Sequence, residues 1–259
     1  MSDAAASPGA TVSPLTVIVT GASSGIGAAI ARDLHKRGHR IVLAARREAQ
    51  LHLLARELSP AGHRVLVVPT DVTRAQDRAA LLARAREVFG PIDVLVNNAG
   101  VGGTRGTPLW ERETLPDTLE VNLIALVDLT RRALPEMVAR RRGHVINVAS
   151  VAGQVGGEPL YSASKFGVRG FSLGLRRQLL GSGVHVSLVS PGFVQSEMTR
   201  DLRFPLPGAD IVARAVASLI ARPRRELVVP GFYRVLIALD DLFPRLGDAA
   251  VRLIARNRR

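Results

Sequence analysis

The sequence alternates short, almost wholly apolar segments with longer segments of helical spacing, and this alternation constrains the fold most strongly. Six apolar segments have the length and composition of buried strands: Leu15–Thr20, Arg40–Ala45, Arg64–Pro69, Ile92–Asn97, His144–Ser150 and Val184–Ser190. Helical spacing of Ala, Leu and Arg predicts helices at Gly27–Arg37, Arg47–Leu58 and Arg74–Phe89. Buried strands that alternate with helices predict an α/β fold with a doubly wound parallel sheet of about seven strands and helices on both faces.

The alternation continues without an internal linker or repeat, so residues 15–230 are expected to form a single domain. Residues 1–14 are rich in Ala, Ser, Pro and Gly and lack the apolar core of a signal peptide, which predicts a disordered N-terminal tail. Residues 191–208 contain three prolines and predict a long loop with a short helix. Residues 231–259 mix apolar residues with arginine and predict a basic amphipathic helical extension.

Within this C-terminal extension, a partial apolar stripe lies close to several arginines. The stripe consists of Leu246, Ala250, Leu253 and Ile254, and the arginines are Arg245, Arg252, Arg256, Arg258 and Arg259. Packing of the stripe on its own domain is the more common arrangement for such a helix. Peripheral contact with an anionic membrane surface, or with a neighbouring subunit, is the alternative.

The formal net charge of +13 raises the question of an anionic partner. The basic residues are nearly all arginine, spread along the whole chain, with lysine only at Lys36 and Lys165. This spread and the scarcity of aromatic residues indicate a solvated surface and argue against nucleic-acid binding. The absence of cysteine excludes disulfides and thiolate metal sites and favours a cytoplasmic location. The six histidines are too scattered to indicate a metal site.

The first predicted strand leads into a glycine-rich turn at the start of the first helix. Its sequence is Thr20-Gly21-Ala22-Ser23-Ser24-Gly25-Ile26-Gly27. Glycines permit positive φ and let backbone N–H groups approach a pyrophosphate, and the helix N-terminus adds partial positive charge. An ordinary strand–helix turn is the alternative, but the position in the first βαβ unit favours a dinucleotide-binding site.

The glycine-rich turn resembles the TGxxxGxG fingerprint of the short-chain dehydrogenases/reductases, and further motifs follow in that family's order. They are Asp71-Val72, Asn97-Asn98-Ala99-Gly100, Tyr161-Ser162-Ala163-Ser164-Lys165 and Pro191-Gly192. The resemblance extends over residues 15–230 and implies a Rossmann-type fold. It also implies an oxidoreductase that passes a hydride between nicotinamide and a carbonyl or alcohol substrate.

The same resemblance assigns cofactor-binding roles along the chain. The glycine-rich turn contributes Gly21, Ser23, Ser24, Gly25, Ile26 and Gly27. The adenine is flanked by Asp71 and Val72, and Asn98, Ala99 and Gly100 lie along the cofactor. The nicotinamide side is met by Pro191, Gly192, Val194 and Ser196, and Tyr161 and Lys165 also bind there. Ser196 stands where the family often has threonine and keeps the hydroxyl.

The residues after the second predicted strand favour NADP(H) over NAD(H). A site for NAD in this architecture places a carboxylate there to accept the ribose hydroxyls. This chain has Arg46 and Arg47 instead. A guanidinium can hold a 2′-phosphate by two charge-assisted hydrogen bonds, and Ser23 can add a hydroxyl. The alternative is that both arginines only open a solvated helix.

Tyr161 and Lys165 are four residues apart, so they share one face of a helix. Reduction of a ketone requires a proton on the oxygen, and a phenol with its ordinary pKa of about 10 is a weak donor at neutral pH. A nearby ammonium is expected to lower the pKa of Tyr161 and so to improve its acid/base properties. Tyr161 is the predicted acid/base residue, and Lys165 is its predicted electrostatic partner.

Two further residues match catalytic positions of the family. Ser150, at the end of a predicted strand, would hydrogen-bond the substrate oxygen. Asn122 would support a water that leads to Lys165, and the alternative is a mid-helix polar residue bonded to backbone. The segment between Ser150 and Tyr161 is shorter than the family pattern, which predicts a reshaped rim of the active site.

The substrate is expected to be a small lipophilic ketone, aldehyde or secondary alcohol, because the segments that would line its pocket are largely apolar or small. They are the residues after Pro191 and Val101–Leu115, with Trp110, Arg105 and Arg112 among them. The resemblance implies a homodimer or homotetramer that associates through helices around Asn122 and Tyr161. A dinucleotide-binding regulator without catalysis and a sugar-nucleotide epimerase are the competing functions.

Overall fold

Seven strands form one parallel sheet in the computed structural model, which describes residues 13–102, 109–111, 117–202, 205–245 and 247–248. The strands are β1 (Thr16–Thr20), β2 (Arg40–Ala45), β3 (Val65–Pro69), β4 (Val94–Asn97), β5 (Gly143–Val148), β6 (Val184–Pro191) and β7 (Glu226–Val229). Their order across the sheet is β3-β2-β1-β4-β5-β6-β7, with parallel pairing throughout. The predicted doubly wound α/β fold is therefore confirmed.

Helices connect the strands in the described part of the chain. They are α1 (Gly25–Lys36), α2 (Glu48–Leu58), α3 (Ala75–Phe89), α4 (Ala125–Ala139), α5 (Ala152–Val155), α6 (Pro159–Gln178), α7 (Asp210–Ala221) and α8 (Tyr233–Leu242). Short 3₁₀ turns lie at Leu109–Glu111 and Glu197–Thr199, and a π-helical turn at Glu120–Ile124 leads directly into α4. The turn at Glu197–Thr199 is the short helix predicted within the loop after β6.

Two apolar layers hold the helices against the sheet, because successive strand residues point to opposite faces. Val17 and Val19 of β1 pack in a layer with residues of α1, α2 and α7. Ile18, between them, packs in the other layer with residues of α3, α4 and α6. Both layers consist mainly of buried apolar residues, so they hold the strands and helices together.

The chain order places a crevice between β1 and β4, where consecutive connections run to opposite sides of the sheet. In open parallel sheets, ligands bind in such a crevice at the carboxyl ends of the strands. The motifs identified in the sequence all follow the carboxyl ends of strands or open the helices beside them. The topology therefore brings them to one edge of the sheet.

Five of the six predicted strands differ by one or two residues from the observed limits, and the difference at β5 concerns the site. The segment His144–Ser150 was expected to be strand throughout, but β5 ends at Val148. The amide of Ala149 still donates to the carbonyl of Val189 at 2.8 Å, after which the chain turns into α5. Ser150 thus lies just beyond the strand, at its carboxyl edge.

Some predictions concern residues outside the described ones. They concern most of the N-terminal tail and much of the pocket-lining segment Val101–Leu115, with Arg105 and Arg112. They also concern the whole C-terminal stripe and its arginines, except Arg245. Among the helices of the described residues, none combines the length and the apolar character needed to cross a bilayer.

Candidate active site

The glycine-rich turn has a backbone path that side chains would block. Gly21 has φ of 66°, and a Cβ on it would lie 2.8 Å from the Cα of Ala99. A Cβ on Gly27 would lie 2.2 Å from the carbonyl oxygen of Gly21. The turn can therefore close over the N-terminus of α1 only with glycine at these positions. It presents the first-turn N–H groups of α1, which have no acceptor within the helix, to a phosphate.

Asn98 fixes the turn to the end of β4. Its Nδ2 donates to the carbonyl of Thr20 at 2.9 Å and to that of Gly21 at 3.3 Å. The hydroxyl of Thr20 accepts from the amides of Asn98 and Ala99, both at 3.0 Å. The side chain of Asn98 thus shapes the cofactor groove from behind, and the backbone of Ala99 and Gly100 forms its surface.

Asp71 and Val72 lie at the end of β3, on the side of the crevice assigned to adenine. The Asp71 carboxylate accepts from the amide of Thr73 at 3.0 Å and from its hydroxyl at 2.8 Å. These bonds, with the charges of Arg46 and Arg74, lower the pKa of Asp71. The Val72 carbonyl accepts from Nη1 of buried Arg78 at 2.6 Å.

Arg46 and Arg47 follow β2 and are both exposed. Arg46 acts electrostatically on Asp71. Arg47 lies across the glycine-rich turn, where its Nε donates to the Ser23 hydroxyl at 3.1 Å and its Nη2 donates to the Ser24 hydroxyl at 2.6 Å. The structure therefore brings Arg47 and Ser23 together as the sequence predicts for a phosphate subsite.

The residues after β6 form the opposite wall of the groove. The carbonyl of Pro191 accepts from the amide of Val151 at 2.9 Å, which joins this wall to the loop after β5. Val194 is buried, and Ser196 caps the 3₁₀ turn at Glu197–Thr199. A Cβ on Gly25 would lie 3.5 Å from Cβ of Ser196, so the two walls meet at the glycine-rich turn.

Tyr233, the first residue of α8, supports this wall and was not identified from the sequence. Its hydroxyl accepts from the amide of Phe193 at 3.2 Å. A Cβ on Gly192 would lie 2.0 Å from the Tyr233 ring, so only glycine leaves room for that ring. The signal available in the sequence was the presence of only two tyrosines, of which one follows β7.

Ser150 and Tyr161 meet at the end of β5. The Ser150 hydroxyl donates to the carbonyl of Pro191 at 3.4 Å and accepts from the amide of Ala152 at 3.1 Å, and it lies close enough to Tyr161 to act on the ionisation of the phenol. Burial raises the pKa of the Tyr161 phenol, and the neighbouring Ser150 hydroxyl acts in the opposite direction. The predicted net lowering of this pKa is not seen, because desolvation of the phenolate is the largest effect.

Lys165 lies on the same face of α6 as Tyr161 and is almost completely buried. Its Nζ is 5.7 Å from the centre of the Tyr161 ring and donates to the carbonyl of Val148 at 3.0 Å. Burial lowers the pKa of Lys165 to about 8. A Cβ on Gly100 would lie 3.6 Å from this Nζ, so the ammonium borders the groove.

Asn122 lies in the π-helical turn and is completely buried. Its Oδ1 accepts from the amide of Val101 at 2.8 Å, and its Nδ2 donates to the carbonyl of Val101 at 2.9 Å and to the Ser164 hydroxyl at 3.0 Å. The wider π turn aims this amide at the chain after Gly100. Asn122 thus connects the groove surface to α6. Its backbone bonds go to Val101, outside its own helix.

The arrangement combines a phosphate-binding turn with an acid/base cluster at the same edge of one sheet. The glycines leave a cradle that a Cβ would fill, and backbone N–H groups face it, so the residues present fit a dinucleotide. The four predicted catalytic residues border the other end of this groove. Such a site can bind a cofactor and move a proton at the Tyr161 hydroxyl.

Comparison with known proteins agrees with this geometry. A family profile described as "short chain dehydrogenase" matches residues 15–205. The ketoacyl reductase HetN of Nostoc sp. is 36% identical over 257 residues, which cover 93% of this chain and 90% of that protein.

Two solved structures show the same fold. A short-chain dehydrogenase/reductase from Burkholderia phymatum in complex with NAD has a TM-score of 0.81 and 28% identity, and the match covers 90% of this chain and 95% of that one. A metagenomic short-chain oxidoreductase in complex with NADP has a TM-score of 0.73 and 37% identity, with 85% and 98% covered. The chain belongs to the short-chain dehydrogenase/reductase family and is an oxidoreductase of that family.

Proposed function

We propose that the protein is an NADP(H)-dependent oxidoreductase that interconverts a carbonyl compound and its alcohol, with Tyr161 as the acid/base residue. The observation that carries this proposal is the position of the Lys165 ammonium 5.7 Å from the centre of the Tyr161 ring, with Ser150 beside that ring at the end of β5. All three border the groove that the glycine-rich turn opens. Bound nicotinamide supplies or accepts the hydride.

The proton chemistry follows from the positions of the three side chains. In the direction of reduction, the Tyr161 hydroxyl gives its proton to the substrate oxygen, while the Ser150 hydroxyl donates a hydrogen bond to the same oxygen. The Lys165 ammonium stabilises the phenolate that remains. In the direction of oxidation, Tyr161 takes the proton back. Asn122 holds the groove surface beside Lys165 and is assigned a water that leads to that ammonium.

The preference for NADP(H) is supported by the residues after β2. Arg46 and Arg47 directly follow this strand, at the place where a site for NAD would have a carboxylate. Arg47 already contacts Ser23 at the glycine-rich turn. A guanidinium and a hydroxyl at this point suit a 2′-phosphate. The remaining cofactor contacts are assigned to the turn residues, to Asp71-Val72, to Asn98-Ala99-Gly100 and to the wall after β6.

The proposed substrate is a lipophilic ketone, aldehyde or secondary alcohol. Exposed apolar residues in the segment that the sequence assigns to the pocket support this class: Trp110 is 84% exposed and Leu109 is 41% exposed in the turn at Leu109–Glu111. The Nostoc relative is named a ketoacyl reductase, which describes an enzyme that reduces a ketone.

The oligomeric state and the cellular location of the protein are also proposals. Pairing of two or four copies is expected through the π-helical turn, α4 and α6, where Ile124, Val138 and Phe166 are between 40% and 49% exposed. A cytoplasmic location without nucleic-acid partners follows from the composition. Contact of the C-terminal extension with an anionic membrane remains a proposal, as do the domain limits 1–14, 15–230 and 231–259.

A cofactor-oxidation assay with Tyr161→Phe tests the proposed function. A panel of apolar ketones and aldehydes is screened by loss of NADPH absorbance. Tyr161→Phe is expected to lower kcat by at least about a hundredfold, because general acid catalysis contributes about 10²–10⁴ in rate. The affinity for NADPH should change little, since the ring remains in place.

Ser218→Ala is the control, because it removes a hydroxyl of α7 that donates to the carbonyl of Ala215, away from the groove, and leaves Tyr161 intact. It is expected to retain most of the activity. If Tyr161→Phe keeps a substantial fraction of wild-type kcat, Tyr161 is not the proton donor.

A further inference from the structure

Arg47 already binds a carboxylate of its own chain. Its Nη1 donates to Oε1 of Glu197 at 2.8 Å, while Nε and Nη2 donate to the Ser23 hydroxyl at 3.1 and 3.0 Å. Nη2 also donates to the Ser24 hydroxyl. All three nitrogens of the guanidinium are therefore engaged. A carboxylate of the protein is thus bound to one of the two guanidinium groups that the sequence predicts for the phosphate of the cofactor.

Glu197 reaches this position from the opposite wall of the groove. It begins the 3₁₀ turn after Ser196, whose amide donates to the Thr199 hydroxyl at 3.0 Å. The Thr199 hydroxyl in turn donates to the carbonyl of Val194 at 2.6 Å. The base of Glu197 is thus fixed, and its side chain bridges the groove from the end of β6 to the start of α2.

The pair has the properties of an interaction that a stronger anion can replace. Arg47 lowers the pKa of Glu197, so the carboxylate is charged at neutral pH. The two side chains are 42% and 59% exposed, so water screens their attraction. A phosphate carries more charge than a carboxylate and has three acceptor oxygens.

We propose that Glu197 competes with the 2′-phosphate for Arg47 and thereby sets the discrimination between cofactors with and without this phosphate. This inference rests on the proposed NADP(H) preference. In the free protein the carboxylate holds the guanidinium in place. On binding, the phosphate displaces it and releases the side chain of Glu197 from the glycine-rich turn.

The inference is tested by calorimetric binding of two cofactor fragments, 2′,5′-ADP and ADP, which differ in the 2′-phosphate. In Glu197→Gln the competing charge is absent, so 2′,5′-ADP should bind about three- to fivefold more tightly relative to ADP. Glu57→Gln is the matched control, because it removes the same charge from an exposed Arg32–Glu57 pair away from the groove. It should leave the ratio of the two affinities unchanged.

Arg47→Ala separates this inference from the proposed function. Arg47→Ala alone should weaken 2′,5′-ADP much more than ADP, and adding Glu197→Gln to it should leave the ratio unchanged. If Arg47→Ala discriminates but Glu197→Gln does not, or tightens both fragments equally, Glu197 does not compete for the subsite. If Arg46→Ala with Arg47→Ala weakens both fragments equally, the NADP(H) preference itself is wrong.

Discussion

The fold strongly changes the ionisation of one residue, Lys165. Its side chain is 4% exposed, and burial lowers its pKa to about 8 because the ammonium loses its hydration. Burial also raises the pKa of the neighbouring Tyr161 phenol, because the charged form loses its hydration there too. In a chain that uses arginine nearly everywhere, lysine at this position provides a compact charge that fits beneath the tyrosine ring.

These shifts predict the pH dependence of ketone reduction. Tyr161 keeps its proton throughout the neutral range, whereas Lys165 loses its charge as the pH rises through about 8. The value of kcat/KM for reduction is therefore expected to fall above pH 8, and a pH–rate profile with saturating NADPH measures it.

Lys165→Arg is the companion variant. It should be poorly active, since the wider guanidinium does not fit the ammonium position, and its residual activity should show no decline near pH 8. A wild-type profile that stays flat to pH 10 would contradict the role of the Lys165 charge.

At the scale of the elements, the start of α6 determines where Tyr161 lies. Glu158 precedes the helix, and its Oε2 accepts from the amide of Tyr161 at 2.6 Å. Pro159 occupies the first turn, where its missing N–H has no consequence. The short connection after Ser150 is held by Gln154 of α5, whose Nε2 donates to the carboxylate of Glu226 at 3.0 Å. A shortened loop is thus compatible with a fixed tyrosine.

Removal of the Glu158 side chain should move Tyr161. We expect Glu158→Ala to lower kcat with little change in KM and to reduce the free energy of unfolding by about 0.5–2 kcal/mol. Glu158→Gln keeps an acceptor oxygen and should restore most of both. Steady-state kinetics and denaturant unfolding provide the readouts. Equal kcat in Glu158→Ala and the wild type would show that the cap does not position Tyr161.

Elements were predicted better than side-chain contacts. β2 has the limits read from the sequence, because continuous burial leaves a continuous apolar segment. Ser150 was assigned to a strand, since nothing in the local sequence marks where the chain leaves the sheet. The bond between Glu197 and Arg47 joins residues 150 positions apart and depends on packing that no local pattern records. The upward pKa shift of Tyr161 was missed for the same reason, because burial is a tertiary property.

At the scale of the whole molecule, buried polar groups connect separate parts of the core. Arg78 of α3 is 6% exposed and forms an ion pair with Asp128 of α4 at 2.7 Å, while it also binds the carbonyl of Val72. His144 in β5 is 5% exposed, and its Nε2 lies 2.9 Å from the Ser187 hydroxyl. Burial, and then the charge of His185, lowers the pKa of His144 to about 3.

The shifted pKa of His144 predicts a loss of stability in acid. The unfolded histidine binds its proton near pH 6.5, whereas the folded one resists it down to about pH 3. The unfolded state therefore binds more protons between these values, and the free energy of unfolding falls as the pH falls through this window. The contribution of one such group is at most about 1.4 kcal/mol per pH unit.

Denaturant unfolding at several pH values measures this effect in the wild type and in His144→Gln. The variant should show a shallower decline between pH 6.5 and 3, although His35 and His39, whose pKa values are also lowered by burial, still contribute. His185→Gln serves as an exposed control and should keep most of the wild-type slope. Identical slopes for His144→Gln and the wild type would exclude His144 as a source of the acid sensitivity.

Because all the strands of the sheet are parallel, their carboxyl ends lie at one edge of the molecule. The proposed cofactor groove and acid/base cluster lie at the carboxyl ends of the strands, whereas the turn between α2 and β3 lies at the opposite edge. Between α2 and β3, Gly62 has φ of 74° and no heavy atom within 4 Å of a Cβ placed on it. An attachment tag inserted there would immobilise the enzyme on a sensor surface or resin with its groove facing the solution.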